Sequence, residues 1–168
     1  MRSNIIVAMA TALCFVGGRT HAADGCKFLL CIAGPWQQIA ECRPTVLQVF
    51  RDTALGKPFP SCDTSGEGSH ALNALNTQST CPEMYRQYND YSGAYVGCAY
   101  GWKIDVYIDG YDLWETVYWD IFGTSTWYSP SAKEMLGPDS LDPRYDQDQA
   151  AWDKAHQPPD DGGGVPGG

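Results

Sequence analysis

Three glutamates are the residues best suited to acid–base chemistry: Glu67, Glu83 and Glu115. Hydrolysis of a glycosidic bond can run on one or two carboxylates if the acid has a raised pKa. Glu83 closes a Thr-Cys-Pro-Glu capping box, and Glu67 lies in a Gly- and Ser-rich loop, so each has a structural explanation. Glu115 is the most interesting, because the strand pattern places it on an apolar face where burial would raise its pKa. The alternative is a rim carboxylate paired with Lys103 or Arg86.

Beyond residue 22, few residues are suited to nucleophilic catalysis or to metal binding. Only His70 and His156 remain there, with no GxSxG elbow and no Gly-rich phosphate loop. His156 lies in an acidic C-terminal stretch, and His70 stands beside a serine at an expected helix start. The cysteines include no CxxC pair, whereas tetrahedral zinc sites usually use close ligand pairs. We therefore expect no catalytic residue, no metal site and no cofactor.

Residues 1–22 have the pattern of a secretory signal peptide. Arg2 supplies the positive start, residues 5–16 form a short apolar stretch, and Thr20-His21-Ala22 is an acceptable cleavage triplet. The alternative is an uncleaved membrane anchor, which the short apolar stretch disfavours. Cleavage removes Arg2 and Arg19 but no acidic residue, so the net charge changes from −9 to −11. We expect an exported protein without a later membrane span, and its acidity disfavours nucleic acid and anionic lipid as partners.

Six cysteines remain after the signal, and an even count in an exported chain indicates disulfides. They are Cys26, Cys31, Cys42, Cys62, Cys81 and Cys98. Sequence alone does not choose among their possible pairings, but helix geometry narrows the choice. On one helix, residues spaced like Cys26 and Cys31 point about 140° apart and should not pair. If two antiparallel helices follow one another, the favoured pairs are Cys26–Cys62, Cys31–Cys42 and Cys81–Cys98.

The secondary structure predicted to position these residues changes along the chain from helices to strands. An apolar helix is predicted over 26–33, and a second begins near Pro44 and ends at Gly56. A short helix is predicted over 69–75, and the capping box at 80–83 predicts another helix start. The expected buried face of that last helix consists of Met84, Tyr85, Tyr88 and Tyr91.

A β-hairpin is predicted around Asp109-Gly110, a strong two-residue turn signal. Apolar and polar residues alternate from Trp102 to Asp109, as in a half-buried strand. The expected cross-strand pairs are Ile108 with Tyr111, Val106 with Leu113, Ile104 with Glu115 and Trp102 with Val117. This register makes one face apolar except for Glu115. It places Tyr107 and Trp114 together on the opposite face, where we expect a partner-binding pair unless residues 125–136 cover it.

These patterns together predict an α+β fold in three parts. Residues 1–22 are the signal, and residues 23–136 form a small disulfide-stapled helical domain packed on a β-hairpin. Residues 137–168 contain seven aspartates and only two basic residues, with many Pro and Gly. We expect this tail to be disordered, since it has little apolar surface to bury, with Tyr145 and Trp152 as its only weak contacts.

Four motifs behind the export signal resemble the TrbM/KikA family of conjugal transfer proteins. They are Cys-x4-Cys-x2-Gly at 26–34, Glu-Cys-Arg-Pro at 41–44, Lys-Pro-Phe-Pro-x-Cys at 57–62, and Val-Tyr-Ile-Asp-Gly at 106–110. The resemblance covers residues 25–98 well and the hairpin more loosely. It implies a periplasmic accessory protein of plasmid type IV secretion, whose partners are protein components of the transfer apparatus. It brings no catalytic residues, and the expectation is a non-enzymatic protein.

Two other functions remain open at this point. One is a hydrolase that acts on the cell wall through a carboxylate, since a transfer channel must cross peptidoglycan. The other is a secreted inhibitor or exclusion factor that blocks a partner by surface contact. The aromatic residues of the hairpin region would serve either binding function.

Overall fold

A computed structural model of the chain describes residues 24–62 and 69–157. The predicted signal peptide, Glu67 and residues 158–168 lie outside the described residues. The α-helices are α1 (Gly25–Ile32), α2 (Cys42–Ala54), α3 (Pro130–Leu136) and α4 (Arg144–Ala155). The strands are β1 (His70–Leu75), β2 (Arg86–Tyr88), β3 (Tyr95–Cys98), β4 (Trp102–Tyr107), β5 (Leu113–Trp119) and β6 (Thr124–Tyr128). Single 3-10 turns cover Glu83–Tyr85 and Pro138–Ser140.

The main sheet is antiparallel, with the strand order β1-β4-β5-β6. A separate two-stranded ribbon pairs β2 with β3. Because side chains alternate along each strand, the main sheet has two faces, and helices α1 and α2 cover one of them. The predicted α+β class is therefore confirmed, with the expected hairpin forming the middle of a larger sheet.

The helix pair forms as its sequence predicts. Asp24 caps α1, since its Oδ1 accepts hydrogen bonds from the backbone N–H groups of Cys26 and Lys27. Pro44 lies in the first turn of α2, where a missing N–H costs nothing. Val46, Val49 and Phe50 point from α2 towards the sheet and are buried.

All three predicted disulfide pairings are confirmed: Cys26–Cys62, Cys31–Cys42 and Cys81–Cys98. The first ties α1 to the segment before β1, the second ties α1 to the start of α2, and the third closes the base of the ribbon. Disulfides of this number indicate an oxidising compartment.

The core between the helices and the sheet is apolar and aromatic. Phe50 of α2 stacks on Trp119 of β5 with ring centroids 4.7 Å apart, and Trp119 stacks on Trp102 of β4 at 5.6 Å. Strands β4 and β5 add Ile104, Val106 and Val117, which are fully buried. Trp119 therefore belongs to the core, and Trp102 packs against it.

A smaller cluster covers the opposite face of the sheet. Tyr85 and Tyr118 are buried there, and Tyr145 of α4 stacks on Tyr118 at 5.8 Å. The Tyr85 hydroxyl donates a hydrogen bond to Asp148 at 2.7 Å, which ties α4 to the chain before the ribbon. The prediction of disorder from Gly137 onward is thus wrong for residues 138–157. Two tyrosines on neighbouring elements give α4 a docking surface that its polar composition does not reveal.

Two predicted helices are also absent from their segments. Residues 69–75 contain β1, which pairs with β4 from His70–Tyr107 to Leu75–Trp102. The capping box at 80–83 leads only into a 3-10 turn and then into β2. Tyr88 and Tyr91 are therefore exposed, and of the expected helix face only Tyr85 is buried. In both cases non-local strand pairing decides the structure, and local patterns do not carry that information.

The predicted hairpin register is wrong by two residues. Ile104 lies opposite Val117 and Val106 opposite Glu115, with an irregularity at Tyr107 that puts it opposite Leu113. A shift of two residues preserves the faces, so Glu115 still lies on the apolar face. The irregularity adds one residue to β5 and turns Trp114 to the other side.

Candidate functional site

Glu115 is completely buried on the helix-facing side of the sheet, with 0 % of its surface exposed. Neither carboxyl oxygen has a hydrogen-bond partner among the described residues. Burial raises the pKa of this carboxyl well above its usual value, which favours its neutral form. The rim ion pair considered above is wrong, because Lys103 pairs with Asp105 and Arg86 pairs with Glu83.

The surroundings of Glu115 are those of a sealed core. Val106 lies opposite it on β4 and Tyr128 lies opposite it on β6. Burial raises the pKa of the Tyr128 phenol above its ordinary value as well. In this conformation a substrate polymer has no route to the Glu115 carboxyl.

Tyr107 and Trp114 do not form the expected pair on an outer face. Trp114 belongs to the core, with 3 % of its surface exposed, and its indole N–H donates to the Ala33 carbonyl at 2.9 Å. Tyr107 lies on the other face, where its ring stacks on His70 at 4.7 Å. The irregularity in β5 separates them, so the shared-face interpretation of Tyr107 and Trp114 is wrong.

The remaining candidate residues lie apart from one another. Glu83 is exposed beside Arg86, and His156 stacks on Trp152 at 4.1 Å near the end of α4. Among residues 24–62 and 69–157, no group of His, Cys, Asp and Glu is placed to hold a metal ion. Over the same residues no helix is long and apolar enough to cross a membrane.

The structure does present aromatic side chains to solvent, in a segment where a buried helix face was predicted. The β2–β3 ribbon carries exposed Tyr88 and Val96 and half-buried Tyr95, and the turn at its tip carries Tyr91, which is 100 % exposed. Tyr88 and Tyr95 lie opposite each other with ring centroids 6.1 Å apart. We call these four residues the tyrosine ribbon.

The tyrosine ribbon is held firmly at both ends. At its tip, the Asn89 side chain accepts hydrogen bonds from the backbone N–H groups of Tyr91 and Ser92, both at 3.0 Å. Gly93 completes this turn with a φ of +66°, which other residues rarely adopt. At its base, the Cys81–Cys98 disulfide closes the loop, and Arg86 donates to the Cys81 carbonyl at 3.0 Å. A backbone fixed in this way loses little further entropy when a partner covers the tyrosines.

A second exposed apolar surface lies at one end of α2. It is a groove of about 360 Å³ between the outer side of α2 and the β5–β6 turn, with Phe50 and Trp119 at its base. Its exposed rim consists of Leu47, Leu55, Ile121 and Phe122. Arg51 and Asp120 are the two charged residues that line it. We call this surface the α2 groove.

Signals for both surfaces were present in the sequence. Asn89-Asp90-Tyr91-Ser92-Gly93 is a run of turn-forming residues, which argues against a helix that continues through Tyr88 and Tyr91. Asp120 and Gly123 likewise bracket Ile121 and Phe122 in a turn that links two strands. In each turn a side-chain carboxyl or amide accepts backbone N–H groups and leaves the intervening apolar residues outside.

Comparison with known proteins adds no assignment. A scan against protein-family models finds no match for this chain, and searches of curated proteins and of solved structures find none either. The fold and the two exposed surfaces therefore carry the functional argument.

Proposed function

We propose that this protein is a periplasmic accessory factor of plasmid conjugal transfer by type IV secretion, and that it acts by protein–protein contact. The observation that carries the contact is the tyrosine ribbon. Its exposed tyrosines stand on a disulfide-closed strand pair and a hydrogen-bonded turn, and tyrosine is enriched among residues that dominate binding energy. The resemblance to the TrbM/KikA family supplies the transfer apparatus as the setting, and the disulfides fit the periplasm.

A ribbon of this kind suits a protein partner better than other ligands. Its tip residue Tyr91 is fully exposed, whereas small-molecule sites are concave and bury most of the ligand. The net charge of −9 opposes contact with nucleic-acid phosphates. Phenol rings provide apolar area together with a hydroxyl group that can bond at a partly wet interface.

The test is a double substitution, Tyr88→Ser with Tyr91→Ser. Both side chains are exposed and lie outside the two buried clusters, so the fold should survive. We expect plasmid transfer to fall at least about tenfold, as for loss of a binding hot spot. The matched control is Leu30→Ser, which removes an equally exposed apolar side chain from α1. Unchanged transfer in the double variant, at normal periplasmic level and with all disulfides formed, would contradict the ribbon as the contact surface.

The hydrolase alternative has a different expected result. Glu115 is its best candidate acid, yet it is sealed in the core, and Glu83 is exposed in an ion pair. We expect no release of muropeptides from peptidoglycan by the purified protein. If the protein does release muropeptides, and Glu115→Gln or Glu83→Gln abolishes that release, then catalysis and not protein contact is the function.

A further inference from the structure

We infer that the α2 groove is a two-fold interface at which a second copy of this chain docks. This inference is independent of the tyrosine ribbon and of the transfer function. It rests on three features of the groove, namely a protruding apolar turn, a receiving apolar wall and a balanced pair of unused charges.

The protruding part is the β5–β6 turn. Phe122 is 89 % exposed at its tip, and Ile121 beside it is exposed as well. The turn is fixed, because Asp120 Oδ1 accepts the backbone N–H groups of Phe122 at 2.7 Å and of Gly123 at 2.8 Å. A second bond runs from the Asp120 N–H to the Gly123 carbonyl at 3.0 Å. Ile121 and Phe122 thus form a contiguous exposed apolar patch on a fixed turn, and such patches mark interaction sites.

The receiving part is the adjacent outer side of α2. Leu47 and Leu55 line the groove from this helix, and Phe50 and Trp119 form its apolar base. The turn and the helix wall belong to one patch, so the patch contains both a projection and a recess. In a two-fold interface each contact is made twice, and such a patch can receive the same projection that it offers.

The charges of the groove also fit a second copy. Arg51 and Asp120 line it, and in the part of the chain that the structure describes neither takes part in a salt bridge. The turn uses Asp120 Oδ1, which leaves the other carboxyl oxygen to accept from a guanidinium. Two-fold docking would set Arg51 of each copy against Asp120 of the other. A purely basic or purely acidic partner would leave one of the two charges opposed, whereas a second copy matches both.

The experiment measures self-association of the oxidised, exported protein by sedimentation velocity over a hundredfold range of concentration. We expect a dimer that dissociates on dilution. Phe122→Ser should weaken self-association at least about tenfold. Tyr91→Ser is the matched control, since it removes an exposed aromatic side chain from a turn on the ribbon and should leave the dimer intact. A monomer at every concentration, or a dimer that Phe122→Ser does not weaken, would overturn the inference.

The ion pair has its own test, a double-mutant cycle with Arg51→Gln and Asp120→Asn. Asparagine keeps the Oδ1 acceptor that the turn needs, so only the charge is lost. If the two residues meet across the interface, the double variant should weaken the dimer less than the two single effects combined. Fully additive effects would contradict the proposed pairing of Arg51 with Asp120. Loss of plasmid transfer in Phe122→Ser while the wild-type protein stays monomeric would assign the groove to a different protein and reject the second copy.

Discussion

Glu115 is the residue at which the sequence was most informative. Its face could be predicted because side chains alternate along a strand, and an error of two residues in register does not change that face. Trp114 could not be placed in the same way. One extra residue in β5 reverses its direction, and whether a strand contains such an irregularity depends on what its neighbours pack against.

The buried Glu115 carboxyl makes stability depend on pH in a defined direction. Its pKa is raised in the folded protein, so the unfolded chain releases this proton at about pH 4.3 while the folded protein retains it. The free energy of unfolding should therefore fall as the pH rises above that value, by up to about 1.4 kcal/mol per pH unit from this group. This contribution ends at the folded pKa.

The measurement is urea unfolding between pH 4 and pH 8 for the wild type and Glu115→Gln. Glutamine cannot ionise, so the variant should lack the decline that Glu115 causes, and its stability relative to the wild type should rise with pH. Glu83→Gln is the control, because that exposed carboxyl is paired with Arg86 at the surface. Parallel pH profiles for the wild type and Glu115→Gln would mean that the Glu115 carboxyl is hydrated in the folded protein.

At the scale of elements, backbone packs closely against the first residue of α1. A side-chain carbon at Gly25 would lie 2.0 Å from the Ser61 carbonyl oxygen, on the segment that brings Cys62 to Cys26. The atoms that approach Gly25 belong to the Ser61 backbone, so no flexible side chain can move aside to make room for the added carbon.

Gly25→Ala should therefore destabilise the protein by about 2–4 kcal/mol, in the range of severe overpacking, and slow formation of the Cys26–Cys62 bridge. Thermal unfolding and non-reducing mass spectrometry measure the two effects. Gly34→Ala is the control, since its nearest neighbouring atom would be 4.0 Å from the added carbon. Equal stability of the two variants would show that the Gly25–Ser61 approach is looser than described.

Helix α4 is an ordered element in a segment that the sequence pattern predicted to be disordered. Its residues are mostly polar and none is fully buried, so its composition resembles that of a disordered segment. Its docking depends on Tyr145 and Asp148 meeting Tyr118 and Tyr85, which lie far away in sequence. The α1–α2 pair was predictable because its caps, apolar spacing and cysteines are all local.

Ending the chain at Leu141 should therefore lower the melting temperature by about 5–10 °C, because Tyr85 and Tyr118 lose their cover. Ending it at Gln157 should leave the melting temperature unchanged, since α4 remains. Circular dichroism during heating distinguishes the two. A chain ending at Leu141 that melts like the full chain would show that α4 contributes no stability.

At the scale of the whole molecule, the disulfides link successive segments of the chain. Cys26–Cys62 joins α1 to the segment before β1, Cys31–Cys42 joins α1 to the start of α2, and Cys81–Cys98 closes the ribbon on the far side of the sheet. Each typically contributes about 2–4 kcal/mol, while a domain of this size is stable by about 5–15 kcal/mol in total. The three bridges together are therefore comparable with the whole stability of the fold.

Reduction should consequently unfold the protein at a temperature where the oxidised form is native. Before reduction, mass spectrometry of the exported form should find three bridges and no free thiol. After reduction, near-ultraviolet circular dichroism should lose the signal of the packed Trp102, Trp119 and Phe50 rings. The double variant Cys81→Ser with Cys98→Ser removes only the bridge that closes the ribbon. It retains both bridges of the helix pair, which border that aromatic core, so its tryptophan signal should persist while the ribbon becomes sensitive to proteases. A reduced chain that keeps the aromatic signal would show that hydrophobic packing alone supports the core, and that the bridges serve the ribbon rather than the fold.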